Sequence, residues 1–272
     1  MKNHLRLTFA CSSLIALLAA PFSVQTASAN ELAIFTDPSA GWIQFANDDT
    51  IHTVNGNFVD PGYGGQDFDA EYLYYKRVGN TLWFGLQTGF DLMDGKVTHS
   101  NVNYWTGDLA LSFDGTPTTY EYAVDFGLQS KTYDGSNANQ LNIGGNSGTP
   151  GIDNAGLYQV STWNTGVYSG FTASNPLAMQ SGTLKSGSDF TNDKGSGLAS
   201  DVLTSYYRIV SFSLADIGLQ DTGFTLGAHW TMSCGNDAIN GNAPVAPVPE
   251  PATMLLFGTG LIGLAGLVRR KE

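Results

Sequence analysis

Hydrophobic side chains recur at every second position over much of the chain between residues 31 and 235. Leu82, Phe84 and Leu86 form one such set. Alternation with a period of two is typical of strands that bury one face. Three further sets follow the same pattern: Leu109, Leu111 and Phe113; Tyr120, Tyr122, Val124 and Phe126; and Phe224, Leu226, Ala228, Trp230, Met232 and Cys234. The pattern predicts a domain built mainly of strands.

Shorter candidate strands lie between these sets, at residues 32–36, 42–46, 51–54, 68–78, 157–163 and 203–214. Asp-Gly pairs at 94–95, 114–115 and 134–135 predict turns. Only residues 213–218 predict a helical turn, and the Gly/Ser/Asn-rich residues 134–156 and 181–200 predict long surface loops. We therefore predict an all-β domain at residues 30–240, a two-sheet sandwich of jelly-roll type.

The N-terminus predicts a secretory signal peptide at residues 1–29. A basic start, an apolar stretch and small residues before the cleaved bond occur in the expected order. These parts are Lys2 and Arg6, residues 7–20, and Ala27 and Ala29 at positions −3 and −1 before Asn30. Signal peptidase is therefore a predicted partner, with cleavage before Asn30.

The C-terminus predicts a membrane span at residues 252–268, a stretch without a charged side chain at the short limit for crossing a bilayer. The basic residues Arg269, Arg270 and Lys271 follow it and predict a cytoplasmic C-terminus. Residues 241–248 are rich in Pro and Ala and predict an extended linker without packed structure. Pro249, Glu250 and Pro251 stand between linker and span.

The Pro-Glu-Pro triplet, the apolar span and the basic cluster together resemble the PEP-CTERM sorting signal of exopolysaccharide-producing Gram-negative bacteria. The resemblance covers residues 249–272 and implies recognition of the triplet by an exosortase, a membrane-embedded cysteine transpeptidase. It implies a chain held briefly in the inner membrane with its domain in the periplasm. Cleavage near the triplet would then release the domain to the cell surface or the extracellular matrix. The alternative is an ordinary tail anchor on a Pro-rich stalk.

The formal net charge is −12, and five of the 12 basic residues lie in the two terminal segments. The domain between them is therefore more acidic than the whole chain. Such a surface repels phosphate backbones, so nucleic-acid binding is disfavoured.

An acidic segment, Asp67, Asp69 and Glu71, would project three carboxylates from one face of a strand. Two interpretations remain open, a solvated acidic edge and a bound Ca²⁺. Residues 65–90, which contain this segment, resemble the first hairpin of DOMON-like sandwiches and of family-nine-like carbohydrate-binding modules. That resemblance implies sugar, haem or Ca²⁺ binding.

Aromatic residues make up 12% of the chain, and three of them are candidates for stacking on sugar rings. Trp83 alternates with the apolar set of its strand, and Tyr104 and Trp105 lie beside a turn. The alternative is that these rings belong to the core or to strand pairing. Cys234 falls on the apolar side of the last alternating set, which favours a core cysteine over a nucleophile or an intermolecular disulfide.

No Walker loop, dinucleotide fingerprint, nucleophile elbow or metalloprotease spacing occurs in the sequence. We therefore expect a non-enzymatic surface or matrix protein that is associated with exopolysaccharide and biofilm, and no cofactor beyond the candidate calcium. Two other functions remain open: a secreted carbohydrate-active enzyme and a self-associating structural surface protein.

Overall fold

The computed structural model describes residues 31–48, 64–116, 119–129, 153–167, 172–186, 189–200, 203–247 and 259–260. Between residues 31 and 247 the described chain has one short α-helix, α1 (Ala33–Thr36), and 3₁₀ turns at Pro38–Ala40, Gln66–Phe68, Thr172–Ser174 and Leu214–Ile217. Thr259 and Gly260 are also helical. The described strands are β1 (Ile43–Asn47), β2 (Ala70–Val78), β3 (Thr81–Thr88), β4 (Lys96–His99), β5 (Val102–Trp105), β6 (Leu109–Ser112), β7 (Tyr122–Asp125), β8 (Gly156–Asn164), β9 (Ala178–Leu184), β10 (Thr191–Ser200), β11 (Leu203–Ser213), β12 (Phe224–Thr231) and β13 (Ala238–Val245).

Two antiparallel sheets hold most of these strands. The front sheet has the order β1-β2-β3-β11-β10, and the back sheet has the order β13-β12-β6-β7-β8-β9. The strands β4 and β5 form a separate hairpin. Most neighbours in each sheet are also consecutive in sequence, and the exceptions are the pairings β3–β11 and β12–β6.

The core lies between the inner faces of the two sheets. Leu73, Phe84 and Phe212 come from the front sheet, and Leu111 and Trp230 come from the back sheet. Phe113, directly after β6, meets Phe212 edge to face with ring centroids 6.4 Å apart. The alternation in the sequence therefore identified the inner faces correctly, and the all-β sandwich prediction is confirmed.

Two local predictions are wrong. Residues 32–36 were expected to form a strand, but Ala33–Thr36 is helical, and the buried Leu32 and Phe35 face the same way with a spacing of three residues. Residues 181–200 were expected to form a loop, yet β9 continues to Leu184 and β10 pairs with β11 from Thr191 onward. At Gly195 the Tyr207 hydroxyl and the Glu31 carboxylate occupy the space that a Cβ would take. The helical turn expected at 213–218 is present, capped by the Ser213 side chain.

The predicted linker is also wrong for its first five residues. β13 pairs with β12 as far as Val245, and Ala243 and Val245 are buried in the core. Every second side chain of β13 points inward, since the exposed Asn240, Asn242 and Pro244 alternate with them. Small inward residues let this strand pack closely. A Cβ at Gly241, for example, would lie 2.6 Å from Cε2 of Phe45.

Candidate functional site

Trp83 lies on the outer face of the front sheet. Leu82, Phe84 and Leu86 of the same strand are at most 1% exposed and point into the core. Trp83 points the other way and is half-buried. The orientation of this side chain is therefore the one that the alternation of β3 indicates.

Lys76 and Trp42 complete a patch around Trp83. In the β2–β3 hairpin Lys76 stands opposite Trp83, and its Nζ lies 5.1 Å from the centroid of that ring. The same Nζ lies 4.5 Å from the centroid of Trp42, and it donates to the carbonyl oxygen of Ala40 at 3.3 Å. At these distances an ammonium group is attracted to both ring faces. We call Trp42, Lys76 and Trp83 the tryptophan–lysine patch.

Sequence reasoning missed two members of this patch. Lys76 carried a usable signal, because a two-residue turn at Gly79–Asn80 fixes the register that sets Lys76 opposite Trp83. Nothing in the sequence indicated that Trp42 belongs to the patch, since it precedes β1 and reaches Lys76 only through the tertiary fold.

An aromatic cluster continues the outer face beside the patch. Phe35 of α1 stacks on Tyr74 with centroids 4.4 Å apart and planes within 6° of parallel. Its ring also meets Trp42 and Tyr207 edge to face, at 5.3 and 5.7 Å. Gly85 provides the space, because a Cβ at that position would overlap the Phe35 ring. Residues 31–36, which we call the N-terminal segment, thus cover the middle of the outer face of the front sheet. The tryptophan–lysine patch lies beside them.

The N-terminal segment is held by its first described residue as well. Glu31 Oε2 accepts from the backbone N–H of Ser196 at 3.2 Å. Burial, and then the charge and hydrogen bond of Glu31, raise the pKa of the Tyr207 phenol. Its hydroxyl therefore stays protonated near neutral pH and can donate to that carboxylate.

Tyr104 and Trp105 lie in a different part of the molecule. The Tyr104 ring packs edge to face on Phe68, with centroids 5.3 Å apart. Trp105 packs against a small apolar cluster that includes Leu177 and Ala178, with Lys96 Nζ 5.8 Å from its ring centroid. The structure therefore does not bring the three aromatic residues predicted from sequence together in one surface.

The acidic segment does not form a row on one strand face. Asp67 lies in the 3₁₀ turn before β2 and is exposed, whereas Asp69 is 2% exposed and Glu71 is 1% exposed. β2 begins at Ala70, and the register shift between Ala70 and Tyr72 disrupts its alternation at Glu71. The geometric premise of the calcium prediction is therefore wrong.

Glu71 instead forms the centre of a buried polar network. Its Oε1 accepts from Gln66 Nε2 at 2.8 Å and from the Ser205 hydroxyl. Its Oε2 accepts from Gln87 Nε2 at 2.6 Å. These bonds join the turn before β2 to β3 and β11. In the described ranges no group of three or more His, Cys, Asp or Glu side chains is arranged to hold a metal ion.

Cys234 and His229 lie on opposite sides of the last strands. Cys234 is 2% exposed within the main core, and burial raises its pKa to about 12. A thiol in that state is a poor nucleophile. His229 is buried outside that core, with Nδ1 2.8 Å from Asn240 Oδ1 and Nε2 3.1 Å from the Pro176 carbonyl oxygen.

Burial of His229 predicts a pH-dependent stability. Desolvation lowers the pKa of His229 below its usual 6.5, although hydrogen bonds to Asn240, Pro176 and Ser174 oppose the shift. As the pH falls through about 6.5, His229 is therefore protonated in the unfolded chain before it is protonated in the folded one. The free energy of unfolding that the neutral, buried histidine contributes above that pH is lost below it. We expect the melting temperature to fall more steeply between pH 7.5 and 5.5 in the wild type than in His229→Gln. Parallel profiles would contradict the assignment.

The remaining sequence-predicted positions lie outside the described residues. They are the cleavage-site residues Ala27, Ala29 and Asn30, the triplet Pro249, Glu250 and Pro251, and the basic residues Arg269, Arg270 and Lys271. Of the predicted span at 252–268, only Thr259 and Gly260 are described. Among the described residues, no helix is both long enough and apolar enough to cross a bilayer.

Residues 247–271 match the family model of the PEP-CTERM protein-sorting motif. This match agrees with the resemblance of the C-terminus and marks the chain as an exported surface protein targeted to an exosortase. No curated protein and no solved structure matches the chain. The resemblance of residues 65–90 to DOMON-like and carbohydrate-binding sandwiches stays a prediction.

Proposed function

We propose that this protein is a non-enzymatic component of the cell surface or extracellular matrix that binds exopolysaccharide through the tryptophan–lysine patch. Signal peptidase would remove residues 1–29, and the domain would stay tethered to the inner membrane until an exosortase cuts near the triplet. The sorting motif supports the route. The observation that carries the binding proposal is the half-buried Trp83 on an outer sheet face. The Lys76 ammonium lies over the Trp83 ring and over the Trp42 ring beside it.

The patch suits a sugar polymer for three reasons. An indole presents a large, rigid apolar face that loses little conformational entropy on binding. The Lys76 ammonium, already placed over two rings, can donate to hydroxyl or carboxylate oxygens of a sugar. Lys76 and Trp83 of the patch also lie opposite each other on paired strands, so their relative geometry is set before the ligand arrives.

The test is retention of the purified domain, residues 30–247, on the immobilised exopolysaccharide of its host. Trp83→Ala is expected to weaken retention at least about fivefold, if a sugar ring gains what a base gains by stacking on an aromatic side chain, on the order of 1–3 kcal/mol. Trp105→Ala is the matched control, since it removes the same side chain from a half-buried position outside the patch. Melting curves confirm that both variants are folded.

Other results would overturn the proposal. Equal retention of the two variants would exclude the patch as the binding site. Release of reducing ends without saturable retention would indicate a carbohydrate-active enzyme. Sedimentation that depends on protein concentration, in the absence of polysaccharide and of retention, would indicate a self-associating structural protein.

A further inference from the structure

The chain leaves the sandwich beside a single arginine. Arg77 Nη1 donates to the carbonyl oxygens of Thr222 at 2.7 Å and Ala246 at 2.9 Å. Its Nη2 donates to Gln220 O at 2.5 Å, and its Nε donates to Gly79 O at 3.1 Å. One guanidinium therefore joins the β2–β3 turn, the loop before β12 and the residue that follows β13. We call these contacts the exit clamp.

Neighbouring contacts hold the end of β13 in the same corner. The Tyr75 hydroxyl donates to the Pro244 carbonyl oxygen at 3.2 Å, and Val245 pairs with Phe224 across the sheet. The Arg77 guanidinium also lies 5.9 Å from the centroid of the Phe224 ring. The chain is thus fixed to the sandwich as far as Ala246.

Little chain remains between the exit clamp and the sorting triplet. Pro249 is the third residue after Ala246, and a fully extended chain spans at most about 3.6 Å per residue, so the triplet starts within about 11 Å of the clamp. A single α-helix with its side chains is already about 10 to 12 Å wide. A membrane protein that binds the start of the triplet therefore comes within about one helix width of this corner of the sandwich.

The corner has a surface for such a contact. At the tip of the β2–β3 turn Val78 is 62% exposed, the largest value among the exposed large hydrophobic side chains in the described ranges. Ala246 and Pro247 are exposed beside the clamp. An apolar tip next to backbone fixed by hydrogen bonds can be bound with little loss of chain entropy.

We propose that Arg77 is a positioning residue for removal of the sorting signal and that the exosortase docks on the corner formed by Val78, Gly79, Thr222 and Ala246. This inference rests on the exosortase sorting described above. The exit clamp fixes the point at which the chain leaves the sandwich, so the triplet starts within about 11 Å of the docked corner. A longer free chain lowers the effective concentration of the triplet at the enzyme.

The experiment follows the processing of the full-length chain in its native host by pulse-chase labelling. Four Gly/Ser residues inserted between Pro247 and Val248 lengthen the free chain and leave every contact of the clamp in place. We expect this insertion to slow processing at least about threefold, because lengthening the free chain from three to seven residues lowers the effective concentration of the triplet by about that factor. The same insertion between Ser100 and Asn101, at the tip of the β4–β5 hairpin, is the matched control and is expected to leave the rate unchanged.

Arg77→Ala is expected to slow processing as the insertion does, and Arg77→Lys is expected to restore part of the rate. A melting curve of each Arg77 variant shows whether slower processing comes from a loss of stability. The insertion after Pro247 leaves the contacts of Arg77 in place and is expected to keep the stability unchanged. Processing of the inserted chain at the wild-type rate, or faster, would overturn the inference. A Glu250→Ala chain processed like the wild type would instead overturn exosortase sorting itself.

Discussion

Replacing Phe35 by alanine is expected to lower the free energy of unfolding by about 3 kcal/mol, the lower end of the cost of deleting a buried phenyl ring. Phe35 is only 5% exposed and stacks on Tyr74 while contacting two further rings. Its loss removes the cover from the middle of the outer face. Urea unfolding followed by tryptophan fluorescence measures the effect. Ile34→Ala, at a 40% exposed position of the same helix, is the control and is expected to change stability by less than about 0.5 kcal/mol.

A second substitution tests whether the ring itself causes the effect. Gly85→Ala alone is expected to cost about 2 kcal/mol, since its Cβ would overlap the Phe35 ring and force the N-terminal segment outward. In the Phe35→Ala background the same change meets an empty space. The two substitutions should therefore couple by more than about 1 kcal/mol. Additive costs would show that the segment does not pack over Gly85.

Glu71→Ala is expected to lower the free energy of unfolding by at least about 2 kcal/mol. The substitution leaves buried donors on Gln87 and Ser205 without the carboxylate they bind, and each unsatisfied buried group costs about 1–3 kcal/mol. The variant should also loosen the turn at Gln66, which the same carboxylate holds. Chemical denaturation gives the cost directly.

The control for that substitution lies four residues away. Asp67→Ala removes a carboxylate of the same acidic segment at an exposed position, and it is expected to change stability by less than about 0.5 kcal/mol. A similar cost for both variants would mean that the buried network contributes nothing beyond general electrostatics.

The sequence predicted strands where burial leaves a contrast between the two faces. β3 and β12 show it at their first residues, where Thr81, Trp83 and Thr225 are more exposed than Leu82, Phe84 and Leu226. Further along both strands the two sides are buried, and the contrast is one of polarity only. β10 lacks this contrast, because it is the edge strand of the front sheet and packs through glycines such as Gly195 against Tyr207. β13 was missed entirely, because Gly241 and Ala243 are too small to show an apolar alternation and because Pro244 and Pro247 indicated a linker.

The candidate site could be predicted only where local geometry decides it. The direction of Trp83 follows from the period of β3, but the contact of Trp42 with Lys76 depends on how β1 joins the sheet. The prediction that the three carboxylates of the acidic segment share one strand face was wrong, because a register shift at Glu71 disrupts the alternation that the prediction assumed. Nothing in the sequence indicates that shift.

The single described thiol bears on how the exported chain folds. Cys234 is enclosed by the core, and its raised pKa leaves almost no thiolate at neutral pH. Thiol–disulfide exchange requires a thiolate that can reach its target. Once folded, the sandwich therefore shields Cys234 from thiol–disulfide exchange, and oxidants that react with exposed thiolates leave this side chain unchanged.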